Sequence, residues 1–292
     1  MGKIVIAGDL RMHLTVRVVR QPVVGETIRG EEFSALPGGK GVAQAVTAAS
    51  LGAEVAMIGC VGSDGYGQAV LEHLRAHGID ESGIQVTPDA PTSISIRTII
   101  GDNPPTTVLI AGANQRLTIE NVESFWERAE KAAVAIAHMS VPTASLTRFC
   151  QLAHQNQATV IVDTSPPRSL PEDLYPVIDI LVLDQHSASV LTAVDIISPK
   201  TAEMVSRRLI AQGVKTVVMN LGEKGVLVTD EKGNLTHLRR EEGVMVDPVK
   251  AGNALVAALA AGLAGKRSLN SAVRMAVAHA SGKKVHPLVM AP

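Results

Sequence analysis

Short runs of apolar residues recur along the chain, and stretches with helical periodicity separate them. The runs cover residues 4–7, 55–58, 134–137, 160–162, 180–183 and 217–219. They are short and rich in Val, Ile and Ala, and they carry no polar alternation. This marks them as strands buried on both faces. Apolar positions three and four apart predict helices over 42–51, 68–77, 119–131, 144–154, 202–212, 251–263 and 269–279. Strands separated by helices form a parallel sheet covered on both sides. The expectation is an α/β fold: a doubly wound, mostly parallel sheet flanked by helices, in a single domain over 1–292.

Two segments break the alternation. Residues 14–35 and 93–110 have a period of two, with turn signals at Val24-Gly25 and over 101–105. They predict a small antiparallel β lid inserted in the α/β framework. Such a flap can cover a site, join two copies into a homodimer, or do neither.

Composition refines this picture. Of 292 residues, 46% are apolar and only 2% aromatic, so a sizeable core must be built from Val, Leu, Ile and Ala. The net charge of −1 and the lack of a basic block argue against nucleic acid or an acidic membrane surface as partner. Cys60 and Cys150 lie far apart without metal-ligand spacing and read as reduced thiols. His138, His154, His186, His279 and His286 show no metal spacing either and read as ordinary histidines. The first residues run straight into a strand, and Ile6 stands where a myristoylation signal needs Ser or Thr. The longest uncharged apolar run, 254–265, has the length of a core helix. The expected location is the cytoplasm, with no membrane partner.

Candidate chemistry sits where the strands end. Asp9, Ser140, Asp163, Asp184 and Asn220 each follow an apolar run. In an open parallel sheet, ligands bind outside the carboxyl ends of the strands. A single polar residue there is ordinary loop solvation, but five together favour a ligand site. Two glycine turns point the same way. "PGGKG" over 37–41 precedes a helix; Gly41 after Lys40 rules out a P-loop, yet the turn can bring backbone N–H groups to a ligand. "KAGN" over 250–253 opens the Ala-rich helix. The N–H groups of Ala251, Gly252 and Asn253 are expected to face the crevice as an anion hole, unless this is an ordinary helix start.

At this point the residues resemble a known family. "PGGKGVAQAVTAASLGAEVAMIGCVGSDGYG" over 37–67 is similar to the signature of the ribokinase-like carbohydrate kinases, the PfkB family. "GANQRLT" over 112–118, "NLGEKGVLV" over 220–228 and "VDPVKAGNALVAALAAGL" over 246–263 continue the match in order. The resemblance implies a parallel-sheet core with a β lid, often a dimer surface, and ATP-dependent phosphorylation of a sugar hydroxyl with Mg2+. It places a monovalent cation near Asp247.

Carried over position by position, the resemblance implies several departures. The catalytic base, an Asp in the family, is Asn253, beside Ala251 and Gly252 of the anion hole. Lys250 replaces a Gly where phosphate oxygens need room, so it either clamps a phosphate or fills its space. On the sugar side Gly39 and Lys40 are kept. Arg11 and His13 replace Asn and Asp, Ala43 replaces a sugar-contacting Asn, and Ser140 replaces a frequent Glu. Arg11 and His13 point to an anionic small molecule or are simply solvated. For the nucleotide the resemblance leaves Asp184, Asn220, Gly222 and Gly225; Asp184 is also a Mg2+ ligand through water. The tail over 279–292 keeps little of the adenine-side pattern. The expectation is a carbohydrate kinase homologue with impaired transfer; the alternative is a silent small-molecule-binding or regulatory pseudokinase.

Overall fold

A computed structural model describes residues 1–129, 131–239 and 247–282, apart from the side chain of Pro248. All six predicted strands form, within β1 (Lys3–Ala7), β4 (Val55–Gly62), β8 (Ala132–His138), β9 (Thr159–Asp163), β10 (Ile180–Asp184) and β11 (Thr216–Asn220). Three further strands, β5 (Asp80–Thr87), β12 (Val226–Asp230) and β13 (Leu235–Leu238), complete a nine-stranded sheet. Its order is β13-β12-β11-β10-β9-β8-β1-β4-β5. Pairing is parallel from β5 to β11 and antiparallel from there to β13. β5 and β13 are the edge strands, exposed to water at many positions, which is why they carry no apolar run.

Side chains on successive strand positions enter different cores, as the strand period of two requires. Ile4, Ile6, Met57 and Ile136 pack with α1 (Lys40–Ser50), α2 (Gly65–Ala76), α7 (Pro248–Ala264) and α8 (Leu269–Ala280). Val5, Ala7, Ile58 and Ala137 pack with α3 (Ile119–Arg128), α4 (Thr143–Gln155), α5 (Gln185–Thr192) and α6 (Pro199–Ala211). The sheet is therefore covered on both faces. α7 is buried nearly all round, and its small residues allow close approach. A Cβ on Gly262 would come within 2.9 Å of the Ala272 Cβ on α8.

The lid is a four-stranded sheet in the order β3-β2-β6-β7, built from β2 (Arg11–Val18), β3 (Glu32–Gly38), β6 (Ser93–Ile100) and β7 (Thr106–Ile110). Its outer pairs are antiparallel, and its central pair, β2 with β6, is parallel. The strands reach further toward the main sheet than the sequence pattern indicated. Arg11 pairs with Gly38 on one side and Ser93 on the other, so three strands meet at the lid's base. Among the described residues, no helix is long and apolar enough to cross a membrane. The strand-like piece over 243–246 and the tail from 283, including His286, lie outside the described residues.

Candidate functional site

Asp9 sits between β1 and β2 and is fully buried. Its carboxylate pairs with the Arg11 guanidinium. It also accepts from the backbone N–H of Lys40 and of Gly41, each at 3.3 Å, and from the Ser140 hydroxyl at 3.3 Å. Burial alone would push this carboxyl's pKa up; Arg11, His138, the Gly41 N–H and Lys40 override that and hold it below the usual carboxylate range. The "PGGKG" turn thus spends its N–H groups on an internal carboxylate, not on a ligand. This corrects the expectation that the turn cradles a ligand. The conformation is one that glycine adopts: Gly39 has φ +105°, and a Cβ there would lie 2.6 Å from the Asp9 carbonyl oxygen.

His13 completes the turn. Its Nε2 accepts from the Gly39 N–H at 3.2 Å, so Nδ1 carries the proton and donates to the Ser95 hydroxyl at 2.5 Å. Burial, together with Arg11 and Arg97, lowers its pKa. At neutral pH His13 is an uncharged positioning group and adds no positive charge for an anion. Ala43 is half-buried in α1, where its carbonyl accepts from the Thr47 hydroxyl at 2.7 Å. It is not among the residues lining the cavities described below.

His138 is not an ordinary histidine. Fully buried, it meets the Gln44 Oε1 through Nε2 at 3.1 Å, and Gln44 donates through Nε2 to Asp163 at 2.8 Å. The Lys40 ammonium lies 4.0 Å from the other Asp163 oxygen. His138 Nδ1 has no hydrogen-bond partner among the described residues and is 4.0 Å from Asp9. Burial lowers the His138 pKa against the opposing pull of Asp163 and Asp9. A buried polar chain therefore runs beneath the strand ends from Asp9 to Lys40. One sequence signal existed: Gln44 shares the buried face of α1 with Gly41, Ala45 and Ala48.

Two neighbouring cavities open above this chain. The first, about 190 Å³, is lined by Lys40, Asp163, Asp184 and Asn220 on the sheet side and by Val249 and Gly252 on α7. The second, about 200 Å³, lies under the lid and includes Arg11, Ser140 and Arg168. Ser165 lines the first and Pro166 the second, so they are compartments of one crevice. Four of the five strand-end residues line it, and Asp9 lies beneath. Asp184 uses one carboxylate oxygen to cap α5, accepting from the Ser187 N–H at 2.7 Å. Asn220 accepts from the Gly222 N–H at 3.1 Å; with Gly222, Gly225 and Ala251 it lines a small hollow beside the first cavity.

The start of α7 departs from expectation. The helix begins at Pro248, so Ala251, Gly252 and Asn253 lie inside its first turns. The Ala251 N–H bonds to the Asp247 carbonyl at 2.9 Å, and the Asp247 carboxylate accepts from Val249 at 2.9 Å and Lys250 at 3.3 Å. Capping therefore takes up the N–H groups of Val249 and Lys250, while that of Ala251 makes the first intrahelical bond and Gly252 and Asn253 lie within the helix, which corrects the expectation of a free anion hole at 251–253. Lys250 is exposed and is not among the cavity-lining residues. At about 100° per residue, Val249 and Gly252 share a face that Lys250 does not. Asn253 is 7% exposed, and its Oδ1 is buried without a partner among the described residues. A Cβ on Gly252 would meet nothing within 4 Å, so open space is left above the backbone.

This crevice, at the carboxyl edge of a doubly wound sheet and beneath a β lid, is accompanied by a family match over nearly the whole chain. The family model described as pfkB family carbohydrate kinase matches residues 1–283. The chain belongs to that family. Ribokinase of Bacillus subtilis (strain 168) is 31% identical over 277 residues, covering 94% of this chain and 90% of that protein. In fold, the chain is similar to Arabidopsis thaliana ribokinase, solved with ribose and ATP, at a TM-score of 0.87 and 23% identity over 96% of this chain and 91% of that one. It is also similar to the ribokinase of Cryptococcus neoformans var. grubii serotype A, solved in complex with ADP. There the TM-score is 0.79 and the identity 20%, covering 96% of this chain and 93% of that one.

Proposed function

We propose that this family member binds a nucleotide and a small sugar-type ligand in the two compartments and transfers the phosphoryl group poorly. The reading is carried by Asn253, which is nine-tenths buried and which the family resemblance aligns with the base. A carboxamide does not take up a hydroxyl proton at neutral pH, and a general base contributes about 10²–10⁴-fold. The Val249 and Lys250 N–H groups given to Asp247 and the Ala251 N–H bonded within the helix weaken the same step, because charge developing on a transferred phosphoryl group depends on donors already aimed at it.

The nucleotide belongs in the compartment between Lys40 and Gly252, where the lysine supplies a cation and the glycine leaves open space. Asp184 offers one oxygen to this space, which fits a Mg2+ that keeps most of its waters. Among the described residues no cluster of three metal-ligating side chains exists. A tightly caged metal is therefore not part of the reading, and the Asp247 carboxylate, occupied as a helix cap, makes a weak seat for a monovalent cation. Pairing of two copies through the lid is supported by the exposure of Phe33 at 67% and Val108 at 63% on it.

The second reading is a silent ligand-binding protein. It is favoured by the Asp9 carboxylate occupying the N–H groups at the start of α1. One experiment separates the two. ATP turnover is measured over a panel of sugars and nucleosides for the native chain and for Asn253→Asp. The proposal expects slow native turnover that rises by about 10²-fold or more in the variant. Native turnover equal to that of the variant would remove the impairment. Nucleotide binding without turnover in either chain would leave the silent reading.

A further inference from the structure

The compartment under the lid carries charge that the reading above does not use. Arg168 lies half-buried on the loop after β9, and its Nη2 donates to the Val141 carbonyl at 2.5 Å. No carboxylate pairs with it among the described residues, and none lines this cavity. Arg11 lines the same cavity; its Nη2 is held by Asp9, while its Nε is buried without a hydrogen-bond partner. The polar remainder of the wall includes Ser140 and Gln115, with Met139 and Pro166 apolar beside them.

Arg168 is half-buried and keeps donors free beyond the one given to Val141, and Arg11 Nε beside the same cavity is buried without a partner among the described residues, so an anion entering this cavity meets cationic donors already in place. Asp9 cannot serve Arg168, because its oxygens are already taken by Arg11, the two N–H groups of the glycine turn and Ser140. The planar donor fork of arginine matches a carboxylate or phosphate, not a neutral hydroxyl. We infer that this compartment selects a sugar-sized ligand bearing an anionic group, with Arg168 as the recognising residue and Arg11 as a second cation fixed in place by Asp9. The ligand is then a sugar acid or a sugar phosphate, with its carbon skeleton against Met139 and Pro166.

The inference rests on the ligand-site reading of the second compartment, not on turnover, and its test is equilibrium binding without nucleotide. Glucose, gluconate and glucose 6-phosphate are titrated by calorimetry into the native chain, Arg168→Gln and Arg168→Lys, at low and high salt. Thermal melting first checks that each variant is folded. The native chain is expected to bind at least one anion about tenfold or more tightly than glucose, and less tightly as salt rises. Arg168→Gln should abolish that preference, bringing the anions to the level of glucose in the same variant; Arg168→Lys should keep part of it. Preference for gluconate alone identifies a carboxylate, and preference for glucose 6-phosphate alone a phosphate. Equal binding of glucose and both anions, no binding of any of them, or an anion preference that survives Arg168→Gln would overturn the inference. A native chain that binds and phosphorylates neutral sugars would overturn it while leaving the kinase reading intact.

Discussion

On the sheet side of the crevice, Asp9 is wholly buried and yet each of its oxygens has partners. Arg11, two backbone N–H groups and the Ser140 hydroxyl converge on it, and a glycine turn is folded tightly around it. On the α7 side, Asn253 is buried with its carboxamide oxygen unmatched among the described residues, Lys250 is exposed and Gly252 opens onto empty space. Unmatched buried polar atoms occur on both sides among the described residues, Arg11 Nε and His138 Nδ1 beside Asp9 and Asn253 Oδ1 on α7, so the difference lies in the carboxylate and its donors. On the sheet side the donors around Asp9 hold the glycine turn and the base of the lid together beside the second cavity. On α7 the Val249 and Lys250 N–H groups are given to Asp247, and Gly252 borders open space.

The comparison can be broken most sharply at Arg11. Arg11→Ala leaves a charged, fully buried Asp9 without its ion pair. Removing one partner of a buried pair costs roughly 3–5 kcal/mol, and urea unfolding should show a loss of that order. A loss below about 1 kcal/mol would mean that the N–H groups suffice to hold Asp9.

Two glycines test the two sides with the same added methyl group. Gly39→Ala forces φ +105° on a residue with a Cβ and drives that Cβ against Asp9, so stability should fall by about 1–3 kcal/mol. Gly252→Ala meets no protein atom within 4 Å and sits in a helix, so it should raise stability by up to about 1 kcal/mol. It should also weaken nucleotide binding measured by calorimetry, since its methyl group enters the cavity. Equal responses at the two positions would erase the contrast.

The smallest effect is on pH. His13 and His138 have pKa values below the ordinary 6.5 in the folded chain. As pH falls below about 6.5, the unfolded chain binds protons that the folded chain does not, so stability falls. The depressed Asp9 has the same sign at lower pH: its contribution is present above the ordinary carboxylate value and is lost as pH falls through the folded one. Unfolding free energies measured from pH 8 to 5 should therefore be level and then decline. A rise between pH 7 and 6 would show that one of these imidazoles is charged in the folded state.

Much of the crevice was legible in the sequence. Short apolar runs located the central strands, and the polar residues after them fell on one edge because parallel strands all end on the same side. The outermost strands β5 and β13 and the eight-residue α5 escaped, since edge strands are half-solvated and short helices carry little periodicity. His138 and Gln44 escaped because each looks unremarkable alone; only packing brings α1 against the end of β8. Arg168 escaped because nothing in its neighbourhood marks a cation without a partner.

Periodicity and residue identity alone were enough for the layered α/β architecture and for the edge on which the polar strand-end residues gather. Both properties are local. Only the tertiary structure decided which donors are free. Asp9 occupies the Lys40 and Gly41 N–H groups of the glycine turn, Asp247 takes those of Val249 and Lys250, His13 accepts from Gly39, and Arg168 has no carboxylate partner among the described residues. Hydrogen bonds and charges are satisfied by neighbours in space, often a hundred residues away along the chain, and no spacing rule reports who those neighbours are.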